Sequence, residues 1–232
     1  MRIAVFGANG PTGRLLTAQA VEAGHEVTAI TRNPDAFPLR HGQLRVVGAD
    51  VNDREAVGAA VAGQDAVLSS LGVPYSRQPI SVYSAGTGNI MLAMEEHGVR
   101  RLVAVSSSQT DPTLGPHGGF FVDRVAGPIV GYFGRTLYAD MARMEEAVSA
   151  SDLDWTIMRP SGLFGTDRVT DYRMAEAYLN GSYTSRADLA NSMLYQLGHD
   201  TYLRKFCAVI TVAEKPSMLQ LLLREASGTK AA

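Results

Sequence analysis

Short apolar runs alternate along the chain with longer stretches in which apolar residues recur every three or four positions. The short runs predict strands and the longer stretches predict amphipathic helices. The predicted strands are Ile3–Phe6, Glu26–Ile30, Leu44–Val47, Ala66–Ser69, Leu102–Val105, Trp155–Met158 and Phe206–Val212. The predicted helices are Thr12–Ala23, Arg54–Ala62, Ile80–Glu96, Tyr138–Ala150, Ala187–Leu197 and Ser217–Glu225. This alternation is typical of a parallel sheet covered on both faces, so we expect one α/β domain over residues 1–232.

Two long stretches interrupt this alternation, residues 109–135 and residues 161–185. The first is rich in glycine and proline, and each stretch follows a predicted strand. Ligands of open α/β sheets bind at the carboxyl ends of the strands, and connections this long are usually functional. We therefore expect two substrate-side loops and a small C-terminal substrate-lid region. Residues 227–232 are expected to form a flexible tail.

Three glycines, Gly7, Gly10 and Gly13, lie between the first strand and the first helix. Gly7 permits a tight turn, Gly10 lets the backbone approach a phosphate, and Gly13 lets the helix pack close to the sheet. Three glycines at this distance can also mark only a turn. The order of strand, loop and helix favours the phosphate-binding turn of a Rossmann-type, doubly wound dinucleotide-binding fold. The G-x-x-G-x-x-G spacing is typical of short-chain and extended dehydrogenase-like folds.

Composition limits the possible functions further. The chain has 232 residues, 46% of them hydrophobic, and a formal net charge of −2 without charged blocks, which argues against nucleic-acid binding. The single cysteine, Cys207, excludes an internal disulfide and a cysteine metal site, and its apolar neighbours predict a buried, inert thiol. The chain opens on a core strand and has no apolar run that could span a bilayer. We expect a soluble cytoplasmic monomer or homodimer that binds a small-molecule substrate, with no metal and no membrane partner.

Arg32 ends the second predicted strand, where sites that prefer NAD usually carry Asp or Glu. A guanidinium at this position suits the 2′-phosphate of NADP(H). The alternative is a solvated arginine at the start of a loop. Asp50 and Val51 follow the third strand, where a carboxylate can accept from the adenine amino group while the valine packs on the ring. The alternative is a helix-capping role for this stretch, since Asn52 or Asp53 would start the next helix well, and the two roles can hold together.

The fourth and fifth strands end in small residues. Leu71 and Gly72 follow the fourth strand, where the cofactor would cross the sheet edge, and Ser106 and Ser107 close the fifth strand. A serine hydroxyl at this point can bond the nicotinamide carboxamide or a substrate oxygen. The alternative to a cofactor-binding role, at the ends of both strands, is that these are ordinary turn residues.

Several longer segments resemble the atypical short-chain dehydrogenases of the NmrA-like NAD(P)-binding family. The resemblance is closest to the branch of NADPH-dependent flavin reductases and biliverdin-IXβ reductases, and it covers most of the chain from Met1 to Leu197. The segments that carry it are the glycine turn, Ala62–Leu68, Ser84–Ile90, Glu96–Ser107, Asp154–Pro160 and Ser185–Ala190.

The resemblance implies roles for individual residues. Those that would contact the cofactor are Gly7, Asn9, Thr12 and Gly13 at the diphosphate, Arg32 at the 2′-phosphate, Asp50 and Val51 at adenine, Leu71 and Gly72 at its centre, and Met158 and Pro160 toward the nicotinamide. From their positions in the glycine turn and at the end of the fifth strand, we also expect Gly10, Pro11 and Ser106 to contact the cofactor. Ser107 would face the nicotinamide and the substrate.

The chain also departs from these relatives. Tyr138 is followed at the Tyr-x-x-x-Lys spacing by Ala142, and no lysine precedes Tyr202. Met141 and Ser161 stand where the flavin and biliverdin branch carries histidines. Without a lysine-assisted acid, the sequence favours NADPH-dependent hydride delivery to a planar conjugated acceptor, such as a flavin, quinone or enone. Ser107 and Tyr138 are the candidate hydrogen-bond donors, and His117 is either a third donor or an exposed bystander.

Two further interpretations stay open. The first is a non-catalytic NADP(H)-binding redox sensor, as proposed for some NmrA-like proteins, and the second is an isomerase, lyase or dehydratase.

Overall fold

The structure, a computed structural model, describes residues 1–76, 78–111 and 127–213. Its strands are β1 Arg2–Phe6, β2 Glu26–Thr31, β3 Leu44–Gly48, β4 Ala66–Ser69, β5 Arg101–Val105, β6 Asp154–Pro160, β7 Gly162–Phe164, β8 Tyr172–Glu176, β9 Tyr183–Ser185 and β10 Lys205–Thr211. Its α-helices are α1 Pro11–Glu22, α2 Arg54–Val61, α3 Val82–Glu96, α4 Gly127–Ser149 and α5 Arg186–Tyr195. A short 3-10 helix spans Ser108–Thr110.

Eight strands form one sheet in the order β3-β2-β1-β4-β5-β6-β10-β8. All neighbours pair in parallel except β8, which pairs antiparallel with β10 at the edge. β7 and β9 form a separate small parallel pair. The strand order reverses between β1 and β4, and such a reversal opens a crevice at the carboxyl ends of the strands. The fold thus confirms the predicted doubly wound α/β sheet.

Both faces of the sheet are buried, and β1 shows why. Ala4 and Phe6 belong to one core cluster, which also contains residues of α2, α3 and α4. Ile3 and Val5 belong to a second cluster, which contains residues of α1 and α5. Successive side chains of a strand point to opposite faces, so an uninterrupted apolar run fills both layers.

Helix α3 is capped by a side chain from α4 rather than by its own preceding residue. Ser81, at the N-cap position, makes no capping bond with its side chain. Instead, the fully buried carboxylate of Asp140 accepts from the backbone N–H of Tyr83 at 2.8 Å and from the hydroxyl of Ser84. Arg143 donates to the same carboxylate at 3.0 Å. Because these donors belong to two helices, Asp140 fixes α4 against the start of α3.

The predicted loop 109–135 is wrong over its last part, because α4 begins at Gly127 rather than at Tyr138. Glycine and proline suggested a loop, yet Pro128 lies in the first helical turn, where its missing N–H costs nothing. Gly134 is needed inside the helix, since a Cβ there would overlap the ring of Tyr138.

The predicted loop 161–185 is also wrong in part, because it contains β7, β8 and β9. These strands are three to five residues long and lie at an edge or in a separate pair, so they lack the continuous apolar run of a central strand. The predicted helix Ser217–Glu225, the tail 227–232 and His117 lie outside the described residues.

Cys207 occupies the middle of β10 and is fully buried and free. Burial raises the pKa of its thiol to about 12. The thiol therefore stays protonated at neutral pH and is a poor nucleophile, as the sequence predicted.

We predict that Asp140→Ala lowers the free energy of unfolding by about 2–3 kcal/mol, because the backbone N–H groups of Tyr83 and Ser84 and the hydroxyl of Ser84 lose a buried charged acceptor. Urea unfolding followed by circular dichroism measures the change. Asp140→Asn retains one acceptor oxygen and should lose less. A loss below about 0.5 kcal/mol, the range of ordinary surface substitutions, would contradict this account of the α3–α4 contact.

Candidate functional site

The glycine turn forms a backbone cradle between β1 and α1. Gly7 has φ +72°, and a Cβ there would lie 2.6 Å from the carbonyl oxygen of Ser70. A Cβ on Gly13 would overlap the carbonyl oxygen of Gly7. The turn is thus pressed against the end of β4 on one side and against its own helix on the other. Only glycine fits at either position.

The first turn of α1 is left without a side-chain cap. Its N-cap residue is Gly10, which makes no capping bond, and no acidic residue lies in the first turn. By contrast, the side chains of Asp53, one of the two predicted cap residues, and Ser185 cap α2 and α5. Helix N-termini attract anions through unpaired N–H groups and the helix dipole. An uncapped N-terminus beside a glycine cradle fits a diphosphate.

The other predicted diphosphate residues lie around this turn. Pro11 begins α1, where it needs no N–H partner, and Thr12 is half-buried beside it. The side chain of Asn9 accepts from Nε of Arg14 at 2.9 Å. This bond places a guanidinium next to the cradle, where it adds positive charge for an anion.

Arg32 and Asp50 lie at the carboxyl ends of neighbouring strands, β2 and β3. Arg32 is exposed, and its guanidinium makes no hydrogen bond or ion pair with any residue that the structure describes. The backbone N–H of Asn52 holds the pKa of Asp50 below its usual value, against an opposing effect of burial, and the Asn52 amide and Arg32 lower it further. Asp50 uses Oδ1 for both bonds to Asn52, each 2.8 Å. This corner therefore holds a guanidinium that makes no hydrogen bond or ion pair with the described residues, and a carboxylate whose two bonds to Asn52 use only Oδ1.

Val51 lies after β3 beside Asp50, and its side chain faces the core. Its side chain is buried in the gap left by Gly86 of α3, where a Cβ would lie 2.7 Å from its Cγ1. Its carbonyl accepts from the side chain of Asn89 at 3.0 Å. The valine therefore offers little side-chain surface to an adenine ring and instead fixes the backbone next to Asp50.

The end of β4 supports the cradle from the other side of the crevice. The backbone N–H of Ser70 donates to Phe6 O at 3.0 Å, and its hydroxyl donates to the same oxygen at 3.1 Å. Leu71 packs partly against the core, whereas a Cβ added at Gly72 would meet no atom within 4 Å. The chain thus leaves the sheet here with exposed backbone at Gly72.

Two serines at the end of β5 present hydroxyls of different kinds. Ser106 is 3% exposed, and its Oγ has no hydrogen-bond partner in the described structure. Ser107 Oγ accepts from the backbone N–H of Gln109 at 3.2 Å and so caps the 3-10 helix. Its own O–H proton remains available to a ligand, because capping uses only the oxygen.

Met158 and Pro160 are both buried at the end of β6. The side chain of Met158 is fully buried in the core beside α1 and α5, so it does not reach an open site in this conformation. Only its carbonyl contributes near Ser106, by accepting from that residue's N–H at 2.8 Å.

A buried ion cluster that was not predicted from the sequence lies next to these serines. Arg159 of β6 donates to both oxygens of Glu145 on α4, at 3.0 and 2.7 Å, and to Asp111 at 2.8 Å. Thr110 donates to Glu145 at 2.8 Å, and the Arg159 guanidinium stacks 3.9 Å from the centre of the Phe206 ring. The cluster ties the segment after Ser107 to α4 and β6.

A charge pattern could have revealed this cluster. Glu145 lies four residues after Met141 and three before Val148, both buried, so it falls on the apolar face of α4. Arg159 continues the apolar run of β6. Opposite charges at two core-facing positions indicate a buried pair.

Tyr138, the other predicted donor, projects from α4 and pairs with a tyrosine that the sequence did not single out. Its hydroxyl lies 3.2 Å from the hydroxyl of Tyr75, in the segment after β4. The two rings meet edge to face, with centroids 6.5 Å apart. Met141, one turn further along α4, is buried in the core.

A depression of about 460 Å³ lies near Arg2, Glu26 and Gln43, at the end of the sheet opposite to the glycine cradle. It lies at the amino ends of β1–β3, away from the glycine cradle. Across the described ranges, no cluster of three or more His, Cys, Asp or Glu side chains is placed to hold a metal ion. None of the helices there is long and apolar enough to cross a membrane.

The cradle, the uncapped helix and the crevice at the strand reversal define a Rossmann-like dinucleotide-binding protein. Residues 7–200 match the family model described as NAD(P)H-binding, and the chain therefore belongs to this NAD(P)H-binding family.

The chain also matches individual curated proteins, but only over part of their length. The chain is 41% identical over 108 residues to an uncharacterized protein of Mycobacterium tuberculosis, a match that covers 46% of this chain and 12% of that protein. It is 31% identical over 204 residues to the 2-alkyl-3-oxoalkanoate reductase of Stenotrophomonas maltophilia, covering 83% of this chain and 60% of the reductase. The chain thus spans only part of the length of these curated relatives.

Among solved structures, a wide-type short-chain dehydrogenase/reductase from Veillonella parvula, in complex with NADP, superposes with a TM-score of 0.78. The two chains are 18% identical, and the match covers 94% of this chain and 99% of the other. This likeness confirms the fold.

We predict that alanine at two glycines of the cradle affects different properties, folding stability at Gly13 and cofactor binding at Gly10. Gly13→Ala should lower the free energy of unfolding by about 2 kcal/mol or more, because its Cβ overlaps backbone. Gly10→Ala should cost less than about 1 kcal/mol, since its nearest atom is Gly7 O at 3.3 Å. It should instead weaken NAD(P)H binding about 10-fold, because its methyl group points where the diphosphate would lie.

Thermal unfolding and fluorescence titration with NADPH and NADH measure the two effects. Gly88→Ala is the matched control, since nothing lies within 4 Å of its added Cβ. Unchanged cofactor affinity in a stable Gly10→Ala protein would contradict the assignment of the cradle.

Proposed function

We propose that this chain is an NADPH-dependent reductase that acts on a planar conjugated acceptor of the flavin, quinone or enone type. The observation that carries the proposal is the arrangement along one sheet edge. A cation after β2, an anion cradle after β1 and hydroxyl groups after β5 follow one another across the sheet, in the order of the 2′-phosphate, diphosphate and nicotinamide of a bound dinucleotide. The Stenotrophomonas relative, which is named a reductase, supports the class of reaction.

The preference for NADPH rests on Arg32. Its guanidinium is exposed at the end of β2 and makes no bond with the described residues, so it can bind a phosphate without first losing a partner. Asp50 lies close enough to feel its charge but leaves it unpaired. A planar guanidinium can hold a phosphate through two parallel hydrogen bonds, and NADH offers no such phosphate.

Each of the remaining residues would bind a different part of the cofactor. The N–H groups at the start of α1 would hold the diphosphate, Asp50 would accept from adenine, and Gly72 would let the central part cross the crevice. When bound, the reduced nicotinamide supplies hydride. Ser106, whose buried hydroxyl has no partner in the described structure, would donate to or accept from the carboxamide.

The acceptor class follows from the proton donors that the chain offers. Ala142 stands where a catalytic lysine would follow Tyr138, so no lysine assists the loss of a proton from this tyrosine. A simple ketone reduced by hydride becomes a strongly basic alkoxide. A conjugated acceptor delocalises the new negative charge, so it can be reduced with a weaker proton donor. Ser107 and Tyr138 would stabilise that charge by hydrogen bonding.

NADPH oxidation by the purified protein tests the proposal. The acceptors are FMN, riboflavin, a simple quinone and a cyclic enone, with NADH in parallel. Saturable turnover that depends on the acceptor and favours NADPH supports a reductase. Tight NADPH binding without turnover on any acceptor overturns it in favour of a redox sensor, which should bind NADP⁺ and NADPH with different affinities.

We predict that Arg32→Ala weakens NADPH binding about 10- to 100-fold, because a charge-assisted contact of about 1.5–3 kcal/mol is lost. NADH binding should change less than about 2-fold, since no contact to NADH is removed. Isothermal titration calorimetry measures both. Arg45→Ala, which removes an exposed arginine from β3, is the control and should change neither. Equal losses for the two cofactors would rule out a phosphate contact.

We predict that Ser107→Ala lowers kcat about 10-fold or more with little change in the Kd of NADPH, because a donor to the developing charge is lost. Ser107→Thr retains both the capping oxygen and the hydroxyl proton and should restore most of the rate. Stopped-flow absorbance at the NADPH band measures the hydride step. Full activity of Ser107→Ala with every active acceptor would remove this hydroxyl from the mechanism.

A further inference from the structure

Tyr75 and Tyr138 form a hydroxyl pair that connects α4 with solvent. Tyr75 is 57% exposed, whereas Tyr138 is half-buried and packs against the core. Their oxygens lie 3.2 Å apart, and either hydroxyl can donate to the other. This separation exceeds the roughly 2.8 Å of a typical O–H···O bond, as is common for catalytic hydrogen bonds in sites without substrate.

The segment that carries Tyr75 is held at both ends. The backbone N–H of Val73 donates to the hydroxyl of Tyr83 on α3 at 3.4 Å. The hydroxyl of Thr136 on α4 donates to the carbonyl of Ser76 at 2.6 Å. Thr136 lies two residues before Tyr138, so the same helix positions both partners. The pair is therefore set by contacts of the fold, although Tyr75 itself is largely in water.

We propose that Tyr75 is a positioning residue that relays protons from water to Tyr138. The inference rests on the proposed reductase function, in which Tyr138 donates to the reduced acceptor. A lysine normally helps such a tyrosine, and no lysine precedes Lys205 in this chain. A second hydroxyl that is in contact with water can replenish the proton instead, because a hydroxyl both donates and accepts.

The relay moves one proton from water to the acceptor in each turnover. The acceptor gains hydride, which is two electrons and one hydrogen, and then holds a negative charge on its conjugated oxygen. The O–H bond of Tyr138 breaks, and its proton forms a bond to the acceptor. The Tyr138 oxygen takes the proton of Tyr75, and Tyr75 takes one from a water molecule, which leaves as hydroxide to the solvent. Both tyrosines return to their starting state.

The relay predicts that Tyr75→Phe affects only acceptors that need a proton from the protein. With a cyclic enone, kcat should fall about 10-fold, less than the 10²- to 10⁴-fold effect of a complete general acid. With a quinone, whose reduced anion takes protons from water, kcat should change less than about 2-fold. KM for NADPH should not change, since Tyr75 does not contact the cofactor in the proposed arrangement.

Two comparisons separate a relay from a structural role. Tyr138→Phe and the double variant Tyr75→Phe/Tyr138→Phe should have equal enone rates, because Tyr75 acts only through Tyr138. Tyr195→Phe, which removes an exposed tyrosine hydroxyl on α5, is the matched control and should behave as wild type.

A readout independent of activity is the ¹³Cζ resonance of Tyr138 in tyrosine-labelled protein. It should move on Tyr75→Phe and stay in place on Tyr195→Phe. An unmoved resonance overturns the hydroxyl pair. Equal enone rates in wild type and Tyr75→Phe, or a wild type that reduces quinones but no enone, overturn the relay and leave the reductase standing. No turnover with any acceptor overturns both.

Discussion

The site depends on a contact between two stretches of backbone. Gly7 lies against the peptide that joins Ser70 to Leu71, and Gly13 lies over the carbonyl of Gly7. Ser70 in turn donates two hydrogen bonds to Phe6. Because no side chain separates these elements, the turn after β1, the start of α1 and the end of β4 have fixed relative positions. The crevice between β1 and β4 is thus shaped by atoms that have little freedom to move.

Helix α4 holds the other half of the site in place through buried charges. Asp140 binds the start of α3, and Glu145 binds Arg159 of β6 together with the segment after Ser107. Buried ion pairs add little to stability compared with apolar packing, but breaking one is costly. Such contacts therefore specify one position of α4 rather than a range. That position decides where Tyr138 and Ser107 present their hydroxyls.

The ends of the central strands could be predicted to within a residue or two, because a strand buried on both faces appears in the sequence as a continuous apolar run. The glycine turn was predicted for the same reason, since its shape depends on immediate neighbours, and the position of Arg32 directly after β2 follows from the same local pattern. The start of α4 was missed because glycine and proline are read as helix breakers, whereas Gly134 is required by the ring of Tyr138.

Contacts between distant parts of the chain were beyond local reasoning. Tyr75 and Tyr138 are 63 residues apart, and Arg159 meets Asp111 across 48 residues. Val51 shows the same limit, because the space that its side chain fills is made by Gly86 on another helix. Each of these contacts depends on how elements that are distant in the sequence pack together, which no local pattern records.

The state of Cys207 has a practical consequence for spectroscopy. It is the single cysteine of the chain, and its thiol is buried and protonated at neutral pH. Maleimide and related probes react with exposed thiolates, so we expect them not to label the native protein. A cysteine introduced at any surface position would carry the whole label. Fluorophores or spin labels can therefore be placed one at a time without first removing a native residue.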